Sequence, residues 1–148
     1  MTETYQRYQQ HLATPSDIQH HLPLLFSLAK GNVLELGTRG GVSTAALLAG
    51  VERQGGKVLS IDIDPACGEL YKEHLQWTFF NVSSTDDTTP DWAGEFLPFD
   101  LILIDTEHTY EQSTAELMLW GDEIRPGGTI CMHDTETFPG VRRAAQEF

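Results

Sequence analysis

Acidic and histidine side chains follow several apolar runs of the sequence, at the points where buried strands would end. Asp62, Asp105 and Asp134 each come within two positions of the last apolar residue of such a run. A buried carboxylate without a partner is costly, so packing alone explains these acids poorly. His108 and His133 lie near two of them, and imidazole has the pKa that suits a general base near neutral pH. We therefore expect ligand binding or proton transfer where these residues meet.

Residues 32–44 read as a strand, a glycine turn and the first turn of a helix. A dinucleotide-binding fingerprint has its second glycine two positions after the first, and this chain has Arg39 there. The carboxylate of Glu35, at the entrance to the turn, would repel a diphosphate but would suit an ammonium or sulfonium group. The stretch therefore favours a nucleoside with a cationic tail, whose own carboxylate would lie at the helix N-terminus near Ser43.

The distance from Glu35 to Asp62 fits one strand-helix-strand crossover, which would place Asp62 beside the glycine turn. A carboxylate at that position can accept hydrogen bonds from both ribose hydroxyls of a nucleoside. Asp62 could instead cap the following helix, but Asp64, directly before Pro65, is better placed for that role. The sequence therefore favours Asp62 as the ribose ligand.

Strand and helix patterns alternate along the rest of the chain, which predicts a parallel sheet with right-handed crossovers. Strands are expected at residues 32–36, 57–61, 77–82, 100–104 and 129–132, and helices at 43–53, 64–75, 92–97, from 109 and from 139. In an open parallel sheet the ligand lies beyond the carboxyl ends of the strands. The residues expected to converge there are Glu35, Asp62, Asp105, His108, His133 and Asp134.

The opening of the chain is more polar. Residues 1–15 suggest a loosely packed leader that ends at Pro15, so the domain is expected to span residues 16–148. Ser16 to Gln19 fits a capping box, which predicts a cap helix over residues 16–30 that Pro23 kinks or splits.

The composition excludes several partners. Nine basic and 22 acidic residues give a formal charge of −13, which would repel nucleic acid and anionic lipid. No apolar run reaches the roughly 18 residues that span a bilayer, and the opening is neither a signal nor a transit peptide. We expect a cytoplasmic protein with a small-molecule partner, no nucleic acid and no membrane.

Residues 32–44 resemble motif I of the class I S-adenosylmethionine-dependent methyltransferases. Residues 103–111 (LIDTEHTYE) and 125–135 (RPGGTICMHDT) are similar to motifs of methyltransferase family 24, which is related to cephalosporin-hydroxylase-like and catechol-type O-methyltransferases. The likeness covers residues 16–148. It implies a Rossmann-like, doubly wound α/β sheet of order 3-2-1-4-5 with helices on both faces, without the final strand pair that such methyltransferases have. A sheet edge left open in this way would favour a homodimer.

The resemblance also implies S-adenosylmethionine as the cofactor and a small-molecule oxygen nucleophile as the acceptor. The cofactor contacts that it implies are Glu35, Gly37, Thr38, Arg39, Ser43, Asp62 and Asp105. His108 resembles a histidine near the acceptor, and the catalytic set that follows is His108, His133 and Asp105.

Asp105 and Asp134 match acids that hold Mg²⁺ or another divalent cation in metal-dependent members. Catechol-type enzymes have Asn directly after the second acid, whereas this chain has Thr135, and two carboxylates supply only part of the oxygen shell that Mg²⁺ needs. In the alternative interpretation, Asp105 lies over the cofactor and Asp134 is a hydrogen-bonded structural residue.

Two other functions stay open at this point. An NAD-type oxidoreductase could use a similar sheet, although Arg39 in place of the second glycine is evidence against it. A truncated or non-catalytic nucleoside-binding domain would also fit a sheet that lacks its last strands.

Overall fold

The computed structural model describes residues 1–88 and 93–148. The fold centres on a sheet of five parallel strands in the spatial order β3-β2-β1-β4-β5, which confirms the predicted order. The strands are β1 (Gly31–Leu36), β2 (Gly56–Asp62), β3 (Trp77–Asn81), β4 (Phe99–Ile104) and β5 (Ile124–Met132).

Five α-helices surround the sheet in the described ranges. They are α1 (Glu3–Ala13), α2 (Leu22–Leu28), α3 (Val42–Gln54), α4 (Tyr110–Trp120) and α5 (Pro139–Glu147). None of these helices is both long and apolar enough to cross a membrane.

Helices cover both faces of the sheet, because successive side chains of a strand point to opposite sides. Val33 and Leu101 belong to the core cluster shared with α1, α2 and α3, whereas Leu34 and Ile102 belong to the cluster shared with α4 and α5. All four side chains are fully buried. Burial on both faces explains why the central strands are continuous apolar runs rather than alternating ones.

Helix α1 is well packed, so the prediction of a loosely packed leader is wrong. Tyr8 is only 4% exposed, and its ring stacks on Phe26 of α2 with the ring centroids 4.9 Å apart. Thr2 caps the helix by accepting a hydrogen bond from the backbone N–H of Tyr5 at 3.2 Å. One buried aromatic anchors a helix whose other residues are mainly polar, which composition does not reveal. The division of the chain at residue 16 stays a prediction.

The cap helix predicted over residues 16–30 is also shorter than expected. A 3₁₀ turn at Gln19–His21 precedes α2, and Gln19 donates its side-chain N–H to the Leu12 carbonyl at 2.6 Å instead of closing a capping box. Pro23 lies in the first turn of α2, where a backbone N–H has no partner within the helix. Pro23 therefore helps to begin α2 after the 3₁₀ turn, which agrees with the predicted split of the segment rather than with a kink inside one helix.

Two further elements differ from the prediction. Residues 64–75 form only a 3₁₀ turn at Pro65–Glu69, although Asp64 does cap it. Gly68 packs against Phe79, where a Cβ would lie 2.8 Å from the ring, and glycine is a poor helix former. The helix predicted at 92–97 begins outside the described residues, and its described part contains a 3₁₀ turn at Gly94–Phe96.

Candidate active site

The glycine turn after β1 runs directly against the end of β4. Gly37 has a φ of +92°, and a Cβ at this position would lie 2.0 Å from the backbone oxygen of Asp105. The Gly37 N–H donates to the Ile61 carbonyl at the end of β2 at 2.9 Å. Only glycine allows both the left-handed φ and the close approach to the Asp105 backbone. The turn is therefore held between the ends of two neighbouring strands, β2 and β4.

Asp62 organises the same turn. Its Oδ2 accepts hydrogen bonds from the backbone N–H groups of Thr38 and Arg39 at 2.8 and 3.0 Å, and its Oδ1 accepts one from Asp64 at 2.9 Å. Partial burial opposes ionisation, but the donors from Arg39, Asp64 and Thr38 outweigh it and hold the pKa of Asp62 below its usual value. Asp62 is therefore an ionised anchor for the glycine turn, and its predicted contact with a ribose stays a prediction.

Glu35 lies behind the turn rather than at its mouth. Its side chain is fully buried, and its carboxylate accepts hydrogen bonds from the hydroxyls of Ser43, Thr44 and Ser60 at 2.6, 2.8 and 2.6 Å. Burial raises the pKa of Glu35 to about 7. The expected direct contact with a cationic ligand is therefore not found, because three hydroxyls close off the carboxylate. Glu35 instead fixes the first turn of α3 onto β1 and β2.

Two cavities adjoin at the carboxyl edge of the sheet. The loop cavity, of about 490 Å³, is lined by residues 16–18, by residues 37–40, 42 and 43, and by Asp105, Thr106 and His108. The strand-end cavity, of about 340 Å³, is lined by residues 61–63, 82–84 and 105–107 together with Gly37, Arg39 and Gln112. Their shared wall suits an elongated ligand that occupies both.

Arg39 and Asp17 form an ion pair in the wall of the loop cavity, with 3.1 Å between the guanidinium Nη1 and the carboxylate Oδ2. The Arg39 side chain is 88% exposed, and its backbone has a φ of +48°. This conformation is uncommon for a residue other than glycine. The ion pair joins the glycine turn to the segment between α1 and α2.

Four predicted residues meet beyond the ends of β4 and β5. Asp105, His108, His133 and Asp134 each offer one nitrogen or oxygen atom, and these four atoms lie within 4.8 Å of one another. His108 Nε2 lies 3.4 Å from Asp105 Oδ1 and 3.1 Å from Asp134 Oδ2. We call this group the Asp–His cluster.

His133 is the most buried member of the Asp–His cluster, with a side chain 5% exposed. Its Nδ1 lies 3.3 Å from Asp105 and 3.2 Å from Asp134 but makes no well-aligned hydrogen bond with any described residue. The contact with the Asp105 carboxylate raises the pKa of His133. Burial opposes ionisation of Asp105, but His133 and His108 outweigh it and lower its pKa. These contacts therefore favour the ionised form of Asp105 and the protonated form of His133.

The donors of the Asp–His cluster suit a divalent cation, but they differ from an all-oxygen shell. Mg²⁺ prefers oxygen ligands in octahedral geometry, whereas two imidazoles with two carboxylates suit ions such as Mn²⁺, Fe²⁺, Co²⁺ or Zn²⁺. Asp134 has a left-handed φ of +60°, a conformation that non-glycine residues adopt mainly where local structure forces it. The sequence analysis names only the two acids as metal ligands and gives the two histidines a catalytic role, and both assignments stay predictions.

A third cavity, of about 360 Å³, lies on the other side of the Asp–His cluster. One wall contains the apolar residues Ile18, Leu24 and Leu25, and the other contains residues 131–137. We call it the cap cavity. His21 also lines it, and its ring lies edge-on to His133 with the centroids 5.4 Å apart. The side chain of His21 is exposed, as the polar sequence around it suggests, but no local pattern shows that the cap segment folds over the end of β5.

Comparisons with known proteins show the family to which the chain belongs. The sequence model of a family described as a methyltransferase domain matches residues 34–135. A catechol O-methyltransferase from Mycobacterium tuberculosis is 32% identical over 130 residues, which cover 77% of this chain and 58% of that protein. The chain thus spans little more than half the length of this curated relative.

Two solved structures have the same fold. An O-methyltransferase from Bacillus cereus in complex with SAH superposes with a TM-score of 0.72 at 20% identity, covering 97% of this chain and 77% of that one. MycE methyltransferase from the mycinamycin biosynthetic pathway, in complex with Mg, SAH and mycinamycin VI, gives a TM-score of 0.71 at 17% identity, covering 95% and 42%. With the family match over most of the chain, these findings place the protein in the family of methyltransferase domains.

Proposed function

We propose that this chain is an S-adenosylmethionine-dependent O-methyltransferase domain that acts on a small molecule. The observation that carries the proposal is the line of three cavities along the carboxyl edge of the sheet, with the Asp–His cluster between the last two. A cofactor that fills the first two cavities would present its reactive group to an acceptor in the third. The family match supports the same activity.

The orientation of the cofactor follows from where its sulfonium must lie. The methyl group has to face the acceptor, and the loop cavity is the one lined by His108 of the Asp–His cluster. The methionyl part therefore belongs in the loop cavity and the nucleoside in the strand-end cavity. In this orientation Asp62 accepts hydrogen bonds from the ribose hydroxyls, and the turn with Gly37, Thr38 and Arg39 lies along the cofactor.

The amino-acid end of the cofactor lies near the start of α3. The free N–H groups and the dipole of a helix N-terminus favour a carboxylate there, and Ser43 lines the cavity at this point. Glu35 supports the site from behind through the Ser43 hydroxyl. Asp105 reaches all parts of the site, because it lines both cofactor cavities and belongs to the Asp–His cluster.

Methyl transfer is an in-line displacement at an activated sulfonium, so the protein must align the acceptor oxygen and remove its proton. Alignment supplies a large part of the rate enhancement. His108 and His133 are the candidate bases, and both contact carboxylates that would stabilise an imidazolium. A positioned base contributes about 10²- to 10⁴-fold.

In a metal-loaded form, Asp105, His108, His133 and Asp134 would hold a divalent cation. Such an ion lowers the pKa of a bound acceptor hydroxyl. The two histidines would then act as ligands rather than as bases.

The cap cavity, as the proposed site of the acceptor, favours an uncharged acceptor with an apolar body. Its wall of Ile18, Leu24 and Leu25 would bury apolar surface, while Asp17 and Glu136 would repel an anion. The formal charge of −13 likewise disfavours nucleic acid. We also propose a cytoplasmic location and a homodimer formed through the outer edge of β5, which pairs only with β4 in the described chain.

Calorimetric titration with S-adenosylhomocysteine and with NAD⁺ tests the proposal, followed by an assay of methyl transfer to a panel of catechols and uncharged sugar hydroxyls. We expect saturable binding of S-adenosylhomocysteine, no binding of NAD⁺ and turnover of at least one acceptor. Binding of NAD⁺ alone would favour an oxidoreductase. Binding of S-adenosylhomocysteine without turnover of any acceptor would favour a non-catalytic nucleoside-binding domain.

A further inference from the structure

A buried carboxylate lies directly behind the strand-end cavity. Glu116 of α4 has no exposed surface, and its Oε1 accepts three hydrogen bonds. The donors are the Ser84 hydroxyl at 2.5 Å, the Thr106 hydroxyl at 2.7 Å and the Gln112 side-chain N–H at 3.0 Å. All three donor residues line the strand-end cavity. Oε2 is buried and has no hydrogen-bond partner among the described residues.

Glu116 accepts hydrogen bonds from the side chains of this wall, so those hydrogens are not available to a ligand. A serine or threonine hydroxyl has one hydrogen, and those of Ser84 and Thr106 both point at Glu116. The amide nitrogen of Gln112 has two, which go to Glu116 and to the Ser84 hydroxyl oxygen, each at 3.0 Å. The side-chain groups that these three residues have left for a ligand are therefore oxygen lone pairs.

The protonation state of Glu116 does not change this polarity. Burial raises the pKa of the carboxyl above its usual value. Any proton that Glu116 takes up would belong on Oε2, which has no partner, and Oε1 would still accept the three hydrogen bonds.

We propose that Glu116 makes this wall of the strand-end cavity a surface of hydrogen-bond acceptors. Such a surface selects a purine with an exocyclic amine over one with a carbonyl at the same position. The inference rests on the proposed function, because it requires the nucleoside to lie in the strand-end cavity. Glu116 is then a positioning residue for cofactor specificity, since it acts through Ser84, Thr106 and Gln112. Adenine offers N–H donors to the wall, whereas hypoxanthine would place an oxygen against other oxygens.

The ratio of two dissociation constants tests this inference. S-adenosylhomocysteine and S-inosylhomocysteine differ in the exocyclic group and the adjacent ring position, and both are titrated calorimetrically into the wild-type chain. We expect the adenosyl compound to bind roughly tenfold to hundredfold more tightly, because a mismatched polar group loses its hydrogen bonds without replacement. In Glu116→Gln the new amide can donate as well as accept, so the hydroxyls can reorient and the ratio should fall to about threefold or less.

Glu111→Gln is the matched control, because Glu111 lies on the same helix as Glu116, is exposed and does not line the strand-end cavity. It removes the same charge without changing the donors of the wall, so the ratio should stay at the wild-type value. A folded Glu116→Gln variant that keeps the wild-type ratio would overturn the inference. If this variant does not fold, Thr106→Val takes its place, and an unchanged ratio there would overturn the inference equally.

The wild-type titrations separate this inference from the proposed function. Failure to bind either compound would contradict the proposed function itself. Equal affinity for both compounds would leave the methyltransferase proposal intact and refute only the role of Glu116.

Discussion

His108 and His133 contact the same two carboxylate oxygens, Oδ1 of Asp105 and Oδ2 of Asp134. The distances are 3.4 and 3.1 Å from His108 Nε2 and 3.3 and 3.2 Å from His133 Nδ1. Each imidazole therefore shares both of its anionic partners with the other. A proton or a metal ion that binds one histidine changes the charge that the second one faces.

This shared pair predicts strongly non-additive mutants. His108→Asn and His133→Asn should each lower kcat by about 10²- to 10⁴-fold. The double variant should be little worse than the poorer single one, because residues that act as a unit lose their function together. Steady-state kinetics on the three variants checks this, with His20→Asn at an exposed position as the control. Multiplicative losses in the double variant would show that the two histidines act independently.

The donors of the Asp–His cluster also predict which ions bind. After treatment with a chelator, the protein should bind Co²⁺ or Zn²⁺ about tenfold or more tightly than Mg²⁺, because imidazole nitrogen favours these ions. Affinity should rise with pH, since the histidines must lose their protons before they can bind a metal. Isothermal titration of wild type and Asp134→Asn measures both effects. Tighter binding of Mg²⁺ than of Co²⁺ would contradict the assignment of the histidines as ligands.

Glu35 predicts a dependence of stability on pH. The pKa of its carboxyl is about 7 in the folded protein and near 4.5 in the unfolded chain, so the folded state holds the proton more tightly. The stability that this supplies is fully present below about pH 4.5 and is lost as the pH rises through about 7. Relative to Glu35→Gln, which does not titrate, the wild type should lose roughly 3 kcal/mol of unfolding free energy between pH 4.5 and 8.

Urea denaturation of wild type and Glu35→Gln across this pH range measures the difference. Glu73→Gln, at an exposed position, controls for the loss of one negative charge. A constant difference between wild type and Glu35→Gln would show that Glu35 ionises as freely in the folded protein as in the unfolded chain.

Asp62 predicts a loss of cofactor affinity. Asp62→Asn removes the charge that the N–H groups of Thr38 and Arg39 stabilise, and it weakens the contact proposed with the ribose. Hydrogen bonds to charged groups contribute about 1.5 to 3 kcal/mol, so the affinity for S-adenosylhomocysteine should fall roughly tenfold to hundredfold. Asp64→Asn is a suitable control, because asparagine caps a helix as well as aspartate does. Equal affinities for the two variants would exclude Asp62 from the cofactor site.

The sequence predicts the sheet and its functional edge well, and physical reasons explain why. Residues 101–104 are an unbroken apolar run followed by Asp105, and an apolar strand that ends in an acid indicates both burial and polarity at one end. Once strand order is inferred, the convergence of Asp105, His108, His133 and Asp134 follows from topology alone.

Contacts between distant side chains could not be predicted in this way. The enclosure of the Glu35 carboxylate depends on the hydroxyl of Ser60 from another strand, and the burial of Tyr8 depends on Phe26 from another helix. The surface of hydrogen-bond acceptors in the wall of the strand-end cavity likewise depends on a contact between Ser84 and Glu116, which lies 32 positions later in the chain. No local pattern marks such partners, because each pair is brought together only by packing.

Under the proposed function, the ion pair between Arg39 and Asp17 would link the kinetics of the cofactor and the acceptor. Asp17 lines both the loop cavity and the cap cavity, so a cofactor that displaced Arg39 would also free a carboxylate beside the proposed acceptor site. An exposed pair of this kind costs little to open. Binding of the cofactor would therefore change the charge at the place where the second substrate enters. The acceptor should consequently add after the cofactor, in a compulsory order, and the methylated product should leave first.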